Sequence, residues 1–257
     1  MGWRTAGGGR GVHFLSRIAI LSDIHGNLRA LDAVIADAQG RGCDVFLNLG
    51  DSLSGPLWPV ETAERLMRED WPTIAGNHER QLLTLERARM GASDGHAHDV
   101  LDARHLAWIA AQPAVLAWSP EIFMCHGTPA SDLEHFLHTV EPTGMRDAGD
   151  DEIAARAGER REAFLLCGHT HLPRAVVLAD GRIVVDPGSV GLQAFDDDRP
   201  WPYRVEVGDP RARYAIIDNG AIEFVAVEYD HEAAAVKAAH EGRDDWAVAL
   251  RTGRITA

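Results

Sequence analysis

The 257-residue chain has no apolar run approaching the roughly 20 residues that a membrane-spanning helix needs, which excludes a bilayer-crossing segment of that kind. Its N-terminal stretch lacks the continuous apolar segment of a secretory signal, so a soluble, cytoplasmic protein with no membrane partner is expected. Cysteine is scarce. Cys43, Cys125 and Cys167 form no CxxC pair and sit in apolar surroundings, which favours buried free thiols over a disulfide or a thiolate metal site. Clustered lysine and arginine are missing as well, and the formal charge is −14. A chain without a basic stripe is not expected to bind nucleic acid generically, although bound cations could reverse the sign locally. There is no internal repeat, no Pro-rich linker and no low-complexity segment after Gly11. The Gly-x-Ser-x-Gly elbow of a serine hydrolase is also absent, which removes Ser189 as a nucleophile.

What is there describes a folded chain: 46% apolar and 25% charged residues leave no room for wholesale disorder. Residues 1–16, with Gly7-Gly8-Gly9 and Gly11, read as a flexible extension, and 17–257 as a single domain. An apolar β-rich run over 17–22 precedes Leu28, Leu31, Val34 and Ile35 at helical spacing, and a second run over 45–49 completes a β-α-β pattern with a partly parallel sheet. Helices are expected over 59–69, 78–90, 100–111, 150–157 and 231–240. Strands are expected over 115–118, 122–125, 164–167, 175–178, 183–185, 212–217 and 222–227, with Asp180-Gly181 and Asn219-Gly220 as hairpin signals. Helices thin out after residue 167. The fold class is therefore α/β, with two sheets face to face, one mixed and one mainly antiparallel, and helices outside. The acidic run Asp196-Asp197-Asp198 reads as a solvated loop.

Chemistry gathers at five short segments that follow apolar runs: Asp23-Ile24-His25-Gly26-Asn27, Gly50-Asp51, Gly76-Asn77-His78-Glu79, His126-Gly127 and Gly168-His169-Thr170-His171. Each contains a glycine, which permits the sharp turn and close backbone approach that ligand sites at strand ends require. Asp23 and His25 are two apart, as are His169 and His171, a spacing that lets both members of a pair project to one side of a strand end. Singly, such segments are turns or caps more often than ligand sites; five converging sets are a site. Oxygen and imidazole donors without thiolates suit Mn, Fe, Ni, Co or Zn.

This ordered series resembles the calcineurin-like metallophosphoesterase superfamily. Pro173 and Asp186-Pro187-Gly188-Ser189-Val190-Gly191 resemble its compact bacterial and archaeal phosphodiesterase-like branch. The resemblance spans about residues 17–230 and implies a four-layer αββα sandwich of two mixed sheets flanked by helices. It implies two divalent metal ions, one held by Asp23, His25, Asp51 and His171, the other by Asp51, Asn77, His126 and His169, with Asp51 bridging. By the same resemblance the two cations make a hydroxide attack phosphorus in a small phosphate-ester substrate, a phosphodiester or phosphomonoester. Two carboxylates against two divalent cations would leave the centre cationic.

His78 is the expected general acid, with a histidine that only supports a ligand as the competing reading. In some relatives a second acid in a Gly-Asp-x-x-Asp pattern orients this histidine; the matching position here is Ser54, so no such dyad is expected. Asn77, His78 and Arg80 are candidate substrate contacts, with a surface ion pair as the alternative for Arg80. Glu79 is expected to cap a helix or orient a neighbour, and Gly188-Ser189 to shape a loop behind the metals. His96, His98 and His105 are read as solvent-facing. Alternatives in function are a non-catalytic protein-binding scaffold on the same fold, a protein phosphatase and a nuclease. Exposed strands of the second sheet could pair subunits into a homo-oligomer.

Overall fold

The computed structural model describes residues 16–256, so the extension expected over 1–16 lies, but for Ser16, outside the described residues. The first unit is β1 (Arg17–Leu21), α1 (Leu28–Gly40) and β2 (Cys43–Asn48), with β1 and β2 parallel and Ile20 opposite Leu47. Asn27 starts α1 by accepting a hydrogen bond from the Ala30 amide at 3.2 Å, and Ala30, Leu31, Val34, Ile35 and Ala38 form its buried stripe. Full burial of side chains such as Leu31 and Val34 is worth about 1.5–3 kcal/mol each, and Leu31→Ala would cost about 2–5 kcal/mol through the cavity left behind.

The middle of the chain supplies α2 (Pro59–Glu69), α3 (Asn77–Thr84), α4 (Ala92–Val100), α5 (Ala103–Ala110), β3 (Val115–Ala117), β4 (Ile122–Cys125), a hairpin β5 (His138–Glu141) and β6 (Gly144–Asp147), α6 (Asp150–Ala157) and β7 (Phe164–Leu166). There follow β8 (Arg174–Val177), β9 (Ile183–Asp186), a second small hairpin β10 (Ala194–Asp197) and β11 (Tyr203–Glu206), the hairpin β12 (Ala212–Asp218) and β13 (Ala221–Val227), and helices α7 (His231–His240) and α8 (Asp244–Thr252).

Two principal sheets run in the orders β13-β12-β1-β2 and β3-β4-β7-β9-β8. Both are mixed, not one mixed and one mainly antiparallel. The reason is non-local: the last hairpin returns to pair antiparallel with β1, with Ala19 opposite Ile216, while the second sheet has a parallel core of β4, β7 and β9 with antiparallel edges. Between β12 and β13, Asn219 (φ 49°) and Gly220 (φ 80°) make the tight turn their dipeptide predicts.

Alternation along the strands builds the layers. Ile18, Ile20 and Leu47 of the first sheet pack between the sheets against Met124, Phe164 and Leu166 of the second. The opposite faces, Ala19 and Leu21 on one side and Phe123, Leu165 and Val184 on the other, pack against α1–α2 and against α6 with Phe136. The result is the four-layer αββα sandwich.

Several elements differ from the sequence reading. The helix expected over 78–90 ends at Thr84 and is followed by one 3₁₀ turn, Arg87–Arg89. Asp102 caps α5, accepting from the amides of Arg104 and His105, so the segment expected over 100–111 begins late. The missed helix α4 reads Ala-Ser-Asp-Gly-His-Ala-His-Asp-Val and buries Ala97 as its only side chain in the apolar core, too weak a stripe for periodicity to reveal. His105 is buried, not solvent-facing: its ring closes the cap of α5 onto Asp102 and reaches Glu64, and His96 and His98 are half-buried. Asp196 and Asp197 lie in β10, not a loop, though their side chains are exposed as expected. All three cysteines are buried free thiols. Among the described residues no helix is long and apolar enough to cross a membrane.

Candidate metal centre

The five segments meet where β1, β2, β4 and β7 end and α3 begins. Backbone hydrogen bonds zip the first two together: the amides of Asp23, His25 and Gly26 donate to the carbonyls of Gly50, Asp51 and Ser52 at 2.9–3.0 Å. Convergence does not come from strand alternation, because Asp23 and His25 lie beyond the end of β1. Instead Asp23, His25, Asp51, His169 and His171 all have φ between 51° and 71°, left-handed backbone that costs a non-glycine residue about 1–3 kcal/mol. Among the described residues only Asp70 and Asn219 are other non-glycine positions with positive φ, and they sit at a helix end and a hairpin turn. Strain of this kind, stored five times at one place, marks a constellation held by its surroundings.

The side chains form two groups whose donor atoms lie within 4.8 Å of one another: Asp23, His25 and His171, and Asp51, His126 and His169. His169 and His171 thus divide between the groups. The groups adjoin, with His126 Nε2 at 3.1 Å from Asp51 Oδ2 and 3.9 Å from Asp23 Oδ1. Asn77, first residue of α3, is buried with its Oδ1 unpartnered.

The donor set fits divalent cations on three counts. First, each imidazole is held by a backbone carbonyl: Nδ1 of His25, His126 and His171 donate to Ser54, Leu49 and Leu192, and Nε2 of His169 to Leu133. A carbonyl only accepts, so these nitrogens carry protons, and the other nitrogen of each ring faces the centre, where its lone pair is the one available to a cation. Second, Asp23 Oδ1, Asn77 Oδ1 and His126 Nε2 are buried with no hydrogen-bond partner, an arrangement that is costly unless something positive lies among them. Third, the rings crowd, with His25 Nε2 and His171 Nε2 only 3.1 Å apart.

Electrostatics reflect that crowding. Burial and the neighbouring His171 hold His25 down at about 4, and burial with His126 does the same to His169. Burial opposes protonation of His126, but the negative charge of Asp51 beside it prevails and raises it to about 10. Burial would raise the carboxyl of Asp23, yet His171 and His126 together hold it at about 2. A cation entering would displace the proton from His126 and take its place beside both carboxylates.

Glu79 clamps the centre. Its carboxylate accepts from the amides of Asp51, Ser52 and Gly76, each at 2.8 Å, so it both caps α3 and ties the loop after β2 to Asn77. Close approach here needs glycine: a Cβ on Gly76 would press on Asp51 Oδ1 and lie 2.8 Å from the Asp51 amide nitrogen, and one on Gly168 would lie 2.8 Å from Asp23 Oδ2. Beneath, Ser189 Oγ donates to the Asp23 carbonyl at 2.8 Å, and Asp186 accepts from Thr170 Oγ1 and the Gly188 amide.

His78 stands at the rim, its side chain 26% exposed and its Nε2 at 3.9 Å from Asp51 Oδ2. The absence of a dyad is corrected here: Nδ1 of His78 hydrogen-bonds Asp94 Oδ1 at 2.6 Å, although Asp94 lies 40 residues beyond Ser54. Burial lowers the affinity of this ring for a proton, but Asp51 and Asp94 outweigh it and raise the ring to about 9. Sequence reasoning missed Asp94 because no strand precedes it. Arg80 is exposed and paired with Asp132 through two hydrogen bonds, the ion pair that was its alternative reading. A cleft of about 1160 Å³ opens over the centre, with Asn77, His78 and His171 on its lining and Phe195, Tyr203 and Trp246 among its walls. These aromatic residues also escaped the sequence reading, since they come from β10, β11 and α8.

Comparison with known proteins gives the class. A family model described as the calcineurin-like phosphoesterase superfamily domain matches residues 17–205. The chain is similar to a metallophosphoesterase from Sphaerobacter thermophilus, at 25% identity and TM-score 0.73, covering 93% of this chain and 99% of that one. It shares its fold with a hypothetical protein from Pyrococcus horikoshii at 19% identity and TM-score 0.70, over 93% and 99% of the two chains. An uncharacterized protein of Methanocaldococcus jannaschii is 26% identical over 248 residues, 90% of this chain and 95% of that protein. The chain belongs to the calcineurin-like phosphoesterase superfamily, and by class it is a metal-dependent phosphoric ester hydrolase.

Proposed function

We propose that this single domain, 17–257, hydrolyses phosphodiester or small phosphomonoester bonds at a dinuclear metal centre. The observation that carries the reading is the pair of adjoining donor groups, buried but for the half-buried His169, strained at every member but His126, and with each imidazole held by a backbone carbonyl. Asp23, His25, Asp51 and His171 would hold one divalent cation, and Asp51, Asn77, His126 and His169 the other; Mn, Fe, Ni, Co and Zn all suit these donors. When bound, such a pair supplies a water of lowered pKa and a cationic clamp for phosphoryl oxygens.

The chain's own residues do the rest. His78 presents Nε2 at the cleft and gives its proton to the departing alkoxide, a contribution of about 10² to 10⁴ in rate. Asn77, beside it, orients the ester, and Arg80, held by Asp132 at the cleft wall, is the outer contact for substrate oxygens. Free, buried thiols fit a reducing cytoplasmic setting.

The test measures metal content and hydrolysis of nitrophenyl bis-esters and mono-esters with Mn²⁺, Ni²⁺ or Zn²⁺ added. About two ions per chain and metal-dependent turnover are expected, with the preferred ester deciding between diesterase and monoesterase. Metal-independent turnover would sink the proposal.

A further inference from the structure

His78 and Ser54, from separate loops, reach for the same atom. Oδ1 of Asp94 accepts from His78 Nδ1 at 2.6 Å and from Ser54 Oγ at 2.7 Å. Asp94 is 2% exposed, and Ser54 is wholly buried. The carboxylate sits in the first turn of α4, where the unpaired amides of a helix favour negative charge. Two donors on one oxygen leave it little freedom to rotate, and an oxygen so held leaves the imidazole one orientation. The Ser54 carbonyl meanwhile holds His25 Nδ1 at 2.8 Å, so this one residue braces two rings from the two sides of its peptide.

We propose that Asp94 is a positioning residue for hydrolysis: with Ser54 it fixes the His78 ring so that Nε2, and not Nδ1, faces the leaving oxygen. The inference rests on the reading of His78 as general acid. In the step it serves, the oxygen of water forms a bond to phosphorus as the phosphorus–oxygen ester bond breaks, the electron pair of the broken bond goes to the leaving oxygen, and that oxygen takes the proton from Nε2 while the other proton stays on Nδ1, donated in a hydrogen bond to Asp94. Three residues after Asp51 the chain carries Ser54 and no acid; the carboxylate comes instead from α4, and Ser54 is its tether. The move also joins the site to the cleft wall, because residues 91–94 line the cleft and Arg243, ahead of α8, donates to Ser93 Oγ at 3.0 Å. The ring is therefore oriented only when α4 is docked.

The experiment compares an alkyl phosphate ester, whose departure needs a proton, with a nitrophenyl ester, whose departure does not. Asp94→Asn is expected to lower kcat on the alkyl ester by about 10- to 100-fold, the usual loss when an orienting partner is removed, with KM and bound metal maintained and a much smaller loss on the nitrophenyl ester. The exchange Ser54→Asp with Asp94→Ser returns a carboxylate to the same neighbourhood and is expected to recover most of that loss. Independently of any variant, ¹⁵N spectra of the metal-free wild type should find the neutral His78 ring protonated on Nδ1. Wild-type alkyl-ester turnover in Asp94→Asn, an equal loss on both esters accompanied by loss of metal, or a proton on Nε2 alone overturns the inference. A His78→Ala variant that leaves the alkyl ester unaffected would instead bring down the general-acid reading beneath it, which separates the two failures.

Discussion

Replacing Gly76 by alanine isolates how tightly the backbone must close around Asp51. Gly76 has φ −89° and ψ −171°, extended backbone that any residue adopts, so the substitution carries no conformational penalty. Its effect is steric. The new Cβ would press on Asp51 Oδ1 and lie 2.8 Å from the Asp51 nitrogen and 2.9 Å from its Cγ, against ordinary contact beyond about 3.4 Å. The two loops cannot part freely, because Glu79 Oε2 holds the amides of both Asp51 and Gly76 at 2.8 Å. Relief therefore requires Asp51 to shift by roughly half an ångström or more, or the Glu79 clamp to open. Overpacking of this kind costs about 1–3 kcal/mol, which lowers the melting temperature of a chain this size by roughly 2–12 °C. A ligand displaced on this scale is expected to reduce turnover by up to about 10²-fold.

Gly149 provides the control. It too begins a helix, and its amide donates to Glu152 Oε2 at 2.8 Å, the same cap that Glu79 makes for α3. A Cβ there meets only Glu152 Oε2, at 3.6 Å. Gly149→Ala should change stability by no more than about 1 kcal/mol, since a weaker cap and a stiffer unfolded chain oppose one another. Thermal melts of metal-free protein and metal content after dialysis read both variants. If Gly76→Ala melts like Gly149→Ala and keeps its metal, the close approach at Asp51 is not what shapes the centre.

Two further predictions follow from particular residues. Asp51→Asn should weaken both cations together, each by at least about 10-fold, because in the proposed centre its carboxylate, which lies with His126 and His169 in one donor group, is shared with the adjoining group of Asp23, His25 and His171; calorimetric titration that finds one site intact would refute the bridging role. His138, buried beside Arg174, Asp147 and Arg156, has its pKa lowered from 6.5 to about 4, by burial first and then by Arg174. Between those values the unfolded chain binds a proton that the folded chain refuses, so stability rises with pH across the window and is lost on acidification. His138→Gln should flatten the fall in unfolding free energy, read by urea titration, between pH 6.5 and pH 5 by at most about 2 kcal/mol, and an unchanged slope would remove His138 from the account.

How much of this was legible in the chain itself depends on the range of the interaction concerned. Local signals carried far: Pro59–Glu69, Asp150–Ala157 and His231–His240 are helices with the expected bounds, because apolar spacing and end residues act within a few positions of the chain. The donor series was legible for the same reason, since His, Asp and Asn beside glycine after an apolar run is a local pattern. What only the tertiary structure decided involves partners distant in sequence. The β12–β13 hairpin, which the sequence reading assigned to neither sheet, closes onto β1, where Ala19 lies opposite Ile216 although nearly 200 residues separate them in the chain. His105, polar by type and helical by context, is buried because Glu64 and Asp102 satisfy it. Asp94 meets His78 only once α4 is docked against α3, and no spacing rule connects the two. Residue types and their neighbours determined which groups could bind; packing between layers decided which of them face one another, since hydrogen bonds and charges act over a few ångströms whatever the distance along the chain.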